Sequence, residues 1–161
     1  MPGTMNSVYA LGISETFIRL AVATLVGSVL GLNRELKGKP AGLRTHALVT
    51  LGAALATVAM VQAASPDPNP VSRVAQGIIT GIGFLGAGVI LRDAAGQRVR
   101  GLTTAATIWI AASLGIACGL GYWAAVATAT LLALVVLVFG RRVEILAGRI
   151  LGAKAEDDHP E

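Results

Sequence analysis

Apolar residues dominate five stretches of the chain, residues 16–32, 47–64, 74–91, 102–120 and 122–140. Each comes near the roughly 20 residues that a helix needs to cross about 30 Å of hydrocarbon at 1.5 Å per residue. The first holds a full charge, Arg19, and the second and third one amide each, Gln62 and Gln76. The last two meet at Gly119, Leu120 and Gly121. Together they exceed any single crossing, so a tight hairpin is expected there. Pro66, Pro68 and Pro70 forbid a helix until they end, which makes Ser72 the expected N-cap of the third span. The first span follows Glu15 rather than a basic segment and is longer than a signal-peptide core, so it is expected to be structural.

After Gly140 the pattern changes. Val143, Ile145, Leu146, Ile150 and Leu151 recur at near-helical spacing, opposite Arg141, Arg142, Glu144 and Arg149. This predicts a short amphipathic helix lying on the bilayer surface. The expected organisation is a five-helix transmembrane domain over 1–140, an interface helix over 141–154 and an acidic, disordered tail over 155–161. The fold class is an all-α integral membrane protein.

Composition agrees. Of 161 residues 54% are hydrophobic and 14% charged, with mean hydropathy +0.70. Charged residues make up about 25% of an ordinary soluble domain, and a domain this small has too much surface for so few. Intrinsic disorder needs the opposite balance. The 20 glycines have no three-residue period, which excludes collagen. Charge then orients the bundle. Arg34, Lys37, Lys39 and Arg44 lie between spans one and two, and Arg92, Arg98 and Arg100 between spans three and four. Arg141, Arg142, Arg149 and Lys154 follow span five. Arg73 is on the other side, with Arg19 just inside it. The positive-inside rule puts the N-terminus outside and the C-terminus in the cytoplasm. The basic pI of about 9.8 is thereby a topology signal rather than a sign of nucleic acid.

Lipid gives helices no hydrophobic reason to associate, so small residues and hydrogen bonds hold them. In span one Arg19, Ala23, Gly27 and Gly31 recur every four residues. In span three Gly77, Gly81 and Gly88 share one face while Gly83 and Gly86 lie on the other, which predicts a central helix with neighbours on both sides. Span four carries Thr103, Thr107, Ala111 and Cys118 in one stripe, with Thr104 and Gly115 at its edge. A homodimer is expected through Gly27/Gly31 or Gly77/Gly81. Gly81, Gly83 and Gly86 formally match a nucleotide-binding loop, but that motif follows a strand and opens a helix. Here it lies inside an apolar span, so helix packing explains it better. Cys118 is the sole cysteine, which excludes an internal disulfide, and is expected to be a packing residue.

Residues 42–55 can be laid on residues 101–114 with six of fourteen positions identical. Each segment follows a loop that opens with an arginine and an acid, Arg34-Glu35 and Arg92-Asp93. If the repeat is genuine, Glu35 and Asp93 are equivalent carboxylates. Two readings stand. Each acid offsets its neighbouring arginine, or the pair is a site for Mg²⁺, which takes oxygen ligands and keeps several waters. Glu15 and Arg19 are four apart, acid first, the favourable order for a helical ion pair. They anchor the helix at the interface, or contact a second chain or a conducting path.

Three segments carry a family resemblance. They are Gly31-Leu-Asn-Arg-Glu-Leu-Lys-Gly-Lys-Pro-Ala-Gly-Leu-Arg-Thr-His46, Gly77-Ile-Ile-Thr-Gly-Ile-Gly-Phe-Leu-Gly-Ala-Gly-Val-Ile-Leu91 and Val99-Arg-Gly-Leu-Thr-Thr-Ala-Ala-Thr-Ile-Trp109. In this order they resemble the MgtC/SapB family of bacterial inner-membrane proteins, over about residues 15–140. The resemblance implies a bundle of about five helices and an association with magnesium limitation. Members were first named as components of magnesium transport; some are regarded as virulence factors or as regulators of the F-type ATP synthase. It implies no enzymatic activity and no required cofactor. The matching positions are Glu15, Arg19, Arg34, Glu35, Arg44, Thr45, His46, Asp93, Arg100, Thr103 and Thr104, with Arg92 beside them. Asn33 stands where the family more often has a second acid. Longer members carry a soluble C-terminal domain, whereas about 20 residues follow Gly140 here, as in a short form. Two functions compete: a modulator that binds another membrane protein such as the ATP synthase, and an oligomeric transporter or channel for magnesium or another cation.

Overall fold

In hydrocarbon every backbone N–H and C=O needs a partner within the chain, and a helix supplies these locally. The apolar stretches accordingly form helices in the computed structural model, which describes residues 11–63, 69–92 and 99–157. The order is α1 (Ile13–Glu35), α2 (Leu43–Ala63), α3 (Asn69–Gly88), β1 (Leu91–Arg92), β2 (Val99–Arg100), α4 (Leu102–Leu120) and α5 (Trp123–Asp157). The two strands pair antiparallel, Leu91 opposite Arg100 and Arg92 opposite Val99. Among the described residues four helices are long and apolar enough to cross a membrane: α1, α2, α4 and the Trp123–Gly140 part of α5.

The third element departs from expectation. It runs from Asn69 to Gly88 rather than over 74–91, so it gains polar residues and loses Val89, Ile90 and Leu91 to the following turn and strand. It is not among the four apolar helices. Pro70 sits in its first turn, where a missing N–H costs nothing. Ser72 is already inside the helix and donates to the Asn69 carbonyl at 2.9 Å, so it is not the N-cap. The segment after Gly140 also differs. It is no separate helix but the continuation of α5, whose 35 residues extend helix through Asp157, into the stretch expected to be a tail. No proline interrupts it, and Leu, Ala, Arg and Glu sustain helix well. At 1.5 Å per residue α5 is about 52 Å long, well beyond the hydrocarbon thickness.

α1, α2 and α4 form the core. Glycines let their backbones meet. A Cβ on Gly27 would stand 2.5 Å from the His46 carbonyl and 2.9 Å from Ala47 Cα, and one on Gly31 2.6 Å from Leu43 Cα. Gly115 and Gly119 do the same for α4, against the Thr50 and Ala54 carbonyls of α2 at 2.5 and 2.9 Å. Ala23, Ala54, Ile108, Ala111 and Cys118 fill the seams. Buried Thr50, Thr57 and Thr107 spend their hydroxyls on carbonyls of their own helices at 2.8–3.0 Å, which leaves no orphan donor.

The expectation of a central third helix is corrected. α3 packs chiefly on α4 and has Ile82 as its buried residue. Gly77, Gly81, Gly83 and Gly88 have nothing within 4 Å of where a Cβ would stand, and Gly86 makes an ordinary 3.7 Å contact to Ala105. Small residues permit close approach but do not choose a partner. α2 answers the glycines of α1 and α4; nothing within the described chain answers those of α3. The outer surface is apolar. Phe17 is 71% exposed, Phe84 84% and Leu131 62%. Soluble monomers rarely show such continuous apolar surface, whereas lipid requires it.

Candidate functional site

At one end of the bundle the α1–α2 link, the β2–α4 junction and the middle of α5 come together around two adjoining cavities. One, of about 620 Å³, is lined by Arg34, Lys39, Arg100, Thr103 and Thr104 among others. The other, of about 740 Å³, is lined by Arg34, Lys37, Lys39, Thr103 and Arg142 with Val136, Leu137, Val138 and Ile145. The three basic connections thus share one end. Among the described residues no carboxylate lines either cavity.

Arg34 is the innermost of these cations, 5% exposed. Its Nη2 donates to Thr104 Oγ1 at 2.5 Å, tying α1 to the first turn of α4. Its Nε has no partner among the described residues, and neither do the buried Asn33 Oδ1 and His46 Nε2. His46 is fully buried, its Nδ1 3.0 Å from the Gly42 carbonyl. Only a protonated Nδ1 can donate to that oxygen, so a neutral ring leaves Nε2 as an acceptor. Lys37 donates to the Leu137 carbonyl at 2.5 Å and joins α1 to α5. Arg142 lies over the Phe139 ring, 5.8 Å from its centroid.

Glu35 does not pair with Arg34. Its Oε2 accepts the Leu43 N–H at 2.8 Å, so it caps α2, an acid at a helix N-terminus where the backbone dipole favours it. Asp93 lies outside the described residues, so one member of the paired carboxylate site is described, and that one is engaged. No group of three or more His, Cys, Asp or Glu gathers among the described residues. Arg44 and Thr45 are exposed at the start of α2 and line neither cavity, and of Arg92 only the backbone in β1 is described. The repeated segments start alike, α2 at Leu43 and α4 at Leu102, each after a glycine. Their matched threonines are used differently, since Thr45 is exposed and Thr104 buried.

The other pair stands at the opposite end. Arg19 Nε donates to Glu15 at 2.8 Å, and its Nη1 to the Gly119 carbonyl at 2.7 Å. This is the only ion pair among the described residues. It closes the α4–α5 hairpin, where Gly121, at φ +77°, receives the chain as α4 ends. The Gly121 N–H donates to the Cys118 carbonyl and the Tyr122 N–H to that of Ala117, both at 3.0 Å, as in a Schellman turn. Arg19 covers Gly121 and satisfies a further terminal carbonyl. Arg19→Gln is therefore expected to destabilise the bundle by about 1.5–3 kcal/mol, the range for a hydrogen bond from a charged group. Glu15→Gln, which keeps the Gly119 contact, is expected to cost less than half of that; unfolding in mixed SDS micelles followed by tryptophan fluorescence compares them.

Sequence reasoning placed Arg34, Arg100, Thr103 and Thr104 among the functional residues but treated Lys37, Lys39 and Arg142 as topology signals. Their common side was visible in the sequence; their convergence on shared cavities was not. The formal nucleotide motif lies wholly inside α3 rather than at a strand-to-helix turn, but within the described chain only Gly86 of its three glycines meets a neighbour, Ala105.

These features define a small polytopic helical membrane protein with one strongly basic end. The chain belongs to the MgtC family, whose model matches residues 20–146. It is 45% identical over 147 residues to protein SrpB of Synechococcus elongatus, covering 85% of this chain and 79% of that one. It is 44% identical over 117 residues to protein MgtC of Salmonella typhimurium, covering 73% of this chain, and 43% identical over 116 residues to protein SapB of Bacillus subtilis, covering 68%. The matches span about half the length of MgtC and SapB, 48% and 49%. No solved structure matches the chain.

Proposed function

We propose that the protein is a modulator in the bacterial inner membrane, acting in magnesium homeostasis and adaptation to low magnesium by lateral association with another membrane protein. The basic end faces the cytoplasm in this reading, as the distribution of Lys and Arg favours, and α3 is the fifth span. The carrying observation is the face of α3, where Gly77 and Gly81 are open to close approach by another helix. Glycines at this spacing are a means by which membrane helices meet. Gly27 and Gly31 are already engaged by α2, so of the two faces expected for a dimer α3 is the one left for association, with a second copy or with a partner. The family resemblance makes the F-type ATP synthase the first partner to examine. A paired Glu35/Asp93 magnesium site is a further proposal of the same reading.

The test is cysteine cross-linking from α3 in native membranes at limiting magnesium, comparing wild type with Gly77→Leu/Gly81→Leu. The variant is expected to lose its cross-linked partner and its support of growth at low magnesium. Its folded amount should not fall, because a Cβ at either position has nothing within 4 Å. Magnesium flux carried by the purified protein alone in liposomes would replace this reading with transport.

A further inference from the structure

The basic end gathers cations that form no ion pair among the described residues. Arg34, Lys37, Lys39, Arg100 and Arg142 converge on two adjoining cavities. A solvated cation tolerates this. Arg34 is 95% withdrawn from solvent by the measure of its 5% exposure, and burying a charge without a counter-charge is costly. It lines both cavities, held there by Thr104.

Three further features of this end favour an anion. The first turn of α4 opens at the same place. Gly101 gives it no side-chain cap, and its first intrahelical bond is from the Ala105 N–H to the Gly101 carbonyl at 2.8 Å. The N–H groups of Leu102, Thr103 and Thr104 therefore have no helical acceptor, and such a terminus favours a negative charge. The exposed Thr103 adds a hydroxyl shared by both cavities. The guanidinium of Arg34 supplies a planar fork of donors, suited to tetrahedral oxyanions. The second cavity also has an apolar wall, Val136 to Val138 and Ile145, at the level where the membrane-length part of α5 ends.

We propose that this end binds a phosphate group, with Arg34, Lys39, Arg100 and Thr103 as its principal contacts. The phosphate belongs either to an anionic phospholipid headgroup, whose chains would follow the α5 wall, or to a soluble phosphate that enters from the aqueous side. The site goes beyond the modulator reading and does not rest on it.

The test uses the full chain in phosphatidylcholine nanodiscs. Inorganic phosphate is titrated in one arm, and phosphatidylglycerol replaces part of the lipid in the other, with thermal unfolding and native mass spectrometry as readouts. A saturable phosphate-dependent rise in unfolding temperature assigns the soluble source. Retained phosphatidylglycerol with a rise in that arm alone assigns the lipid source. In either case Lys39→Ala/Arg100→Ala, whose side chains are exposed and leave the core intact, is expected to weaken binding at least tenfold. Arg149→Ala, a cation lining neither cavity, should not. Arg34→Lys should fold and keep the charge but bind more weakly, through loss of the fork. The proposal is overturned if neither probe binds, or if the double variant and Arg149→Ala bind alike.

Discussion

Replacing Gly27 or Gly31 by alanine is expected to force α1 off α2 and to cost each variant about 3 kcal/mol or more, the upper end of overpacking penalties. The reason lies in what each new methyl would meet. At Gly27 it would meet the His46 carbonyl and Ala47 Cα, and at Gly31 Leu43 Cα and the Gly42 carbonyl at 2.7 Å. These are backbone atoms of α2 and of the residue just before it, and have no rotamer through which to retreat. The strain would reach the basic end, because Arg34 leaves α1 one turn beyond Gly31 and Glu35 caps α2. Gly81→Ala is the matched comparison. It has open space around it and is expected to leave stability unchanged or to raise it by up to about 1 kcal/mol through helix propensity. Unfolding free energies in mixed micelles decide the matter; equal losses at Gly31 and Gly81 would contradict the packing described for α1.

Gly101→Ala carries the second large effect, for two separate reasons. Gly101 has φ +93°, where an L residue is strained by roughly 1–2 kcal/mol. A Cβ there would also run into the Val89 carbonyl and stand 2.9 Å from its carbon. The chain must therefore re-route between β2 and α4, and Thr104 would shift away from Arg34. The expected outcome is a loss of about 2–4 kcal/mol, overpacking added to the strain, with weaker phosphate binding in the protein that still folds. Gly38→Ala serves as the control that separates the two causes. Gly38 also has a left-handed φ, +59°, but nothing lies within 4 Å of its Cβ position, so it should show the strain alone.

Glu35 shows how a residue can stand out in the sequence while one of its contacts does not. Beside Arg34 it suggested either local charge compensation or a metal ligand. The structure gives its carboxylate to the Leu43 N–H, because the short α1–α2 link brings the start of α2 within reach of the last residue of α1. Arg19 went the other way. The spacing to Glu15 was legible as a helical pair, but its second contact, the Gly119 carbonyl, is 100 residues away in sequence and belongs to a hairpin that periodicity cannot place beside α1. The glycines of α3 were legible as small faces and were wrongly assigned to the centre of the bundle.

Hydropathy and charge suffice to say that lipid surrounds this chain, where α1, α2 and α4 lie in outline and that most of its cations gather on one side. Those conclusions depend on the transfer of local segments between water and hydrocarbon, and each segment carries its own answer. Which glycines are buried, which acid caps a helix and which five cations line the two adjoining cavities depend on contacts between segments far apart in the chain. Glycine is equally small on every helix, so its pattern is silent about its neighbour. Only the packed arrangement of α1, α2 and α4 assigns Gly27, Gly31, Gly115 and Gly119 to the core and leaves Arg34 buried without a counter-charge among the described residues.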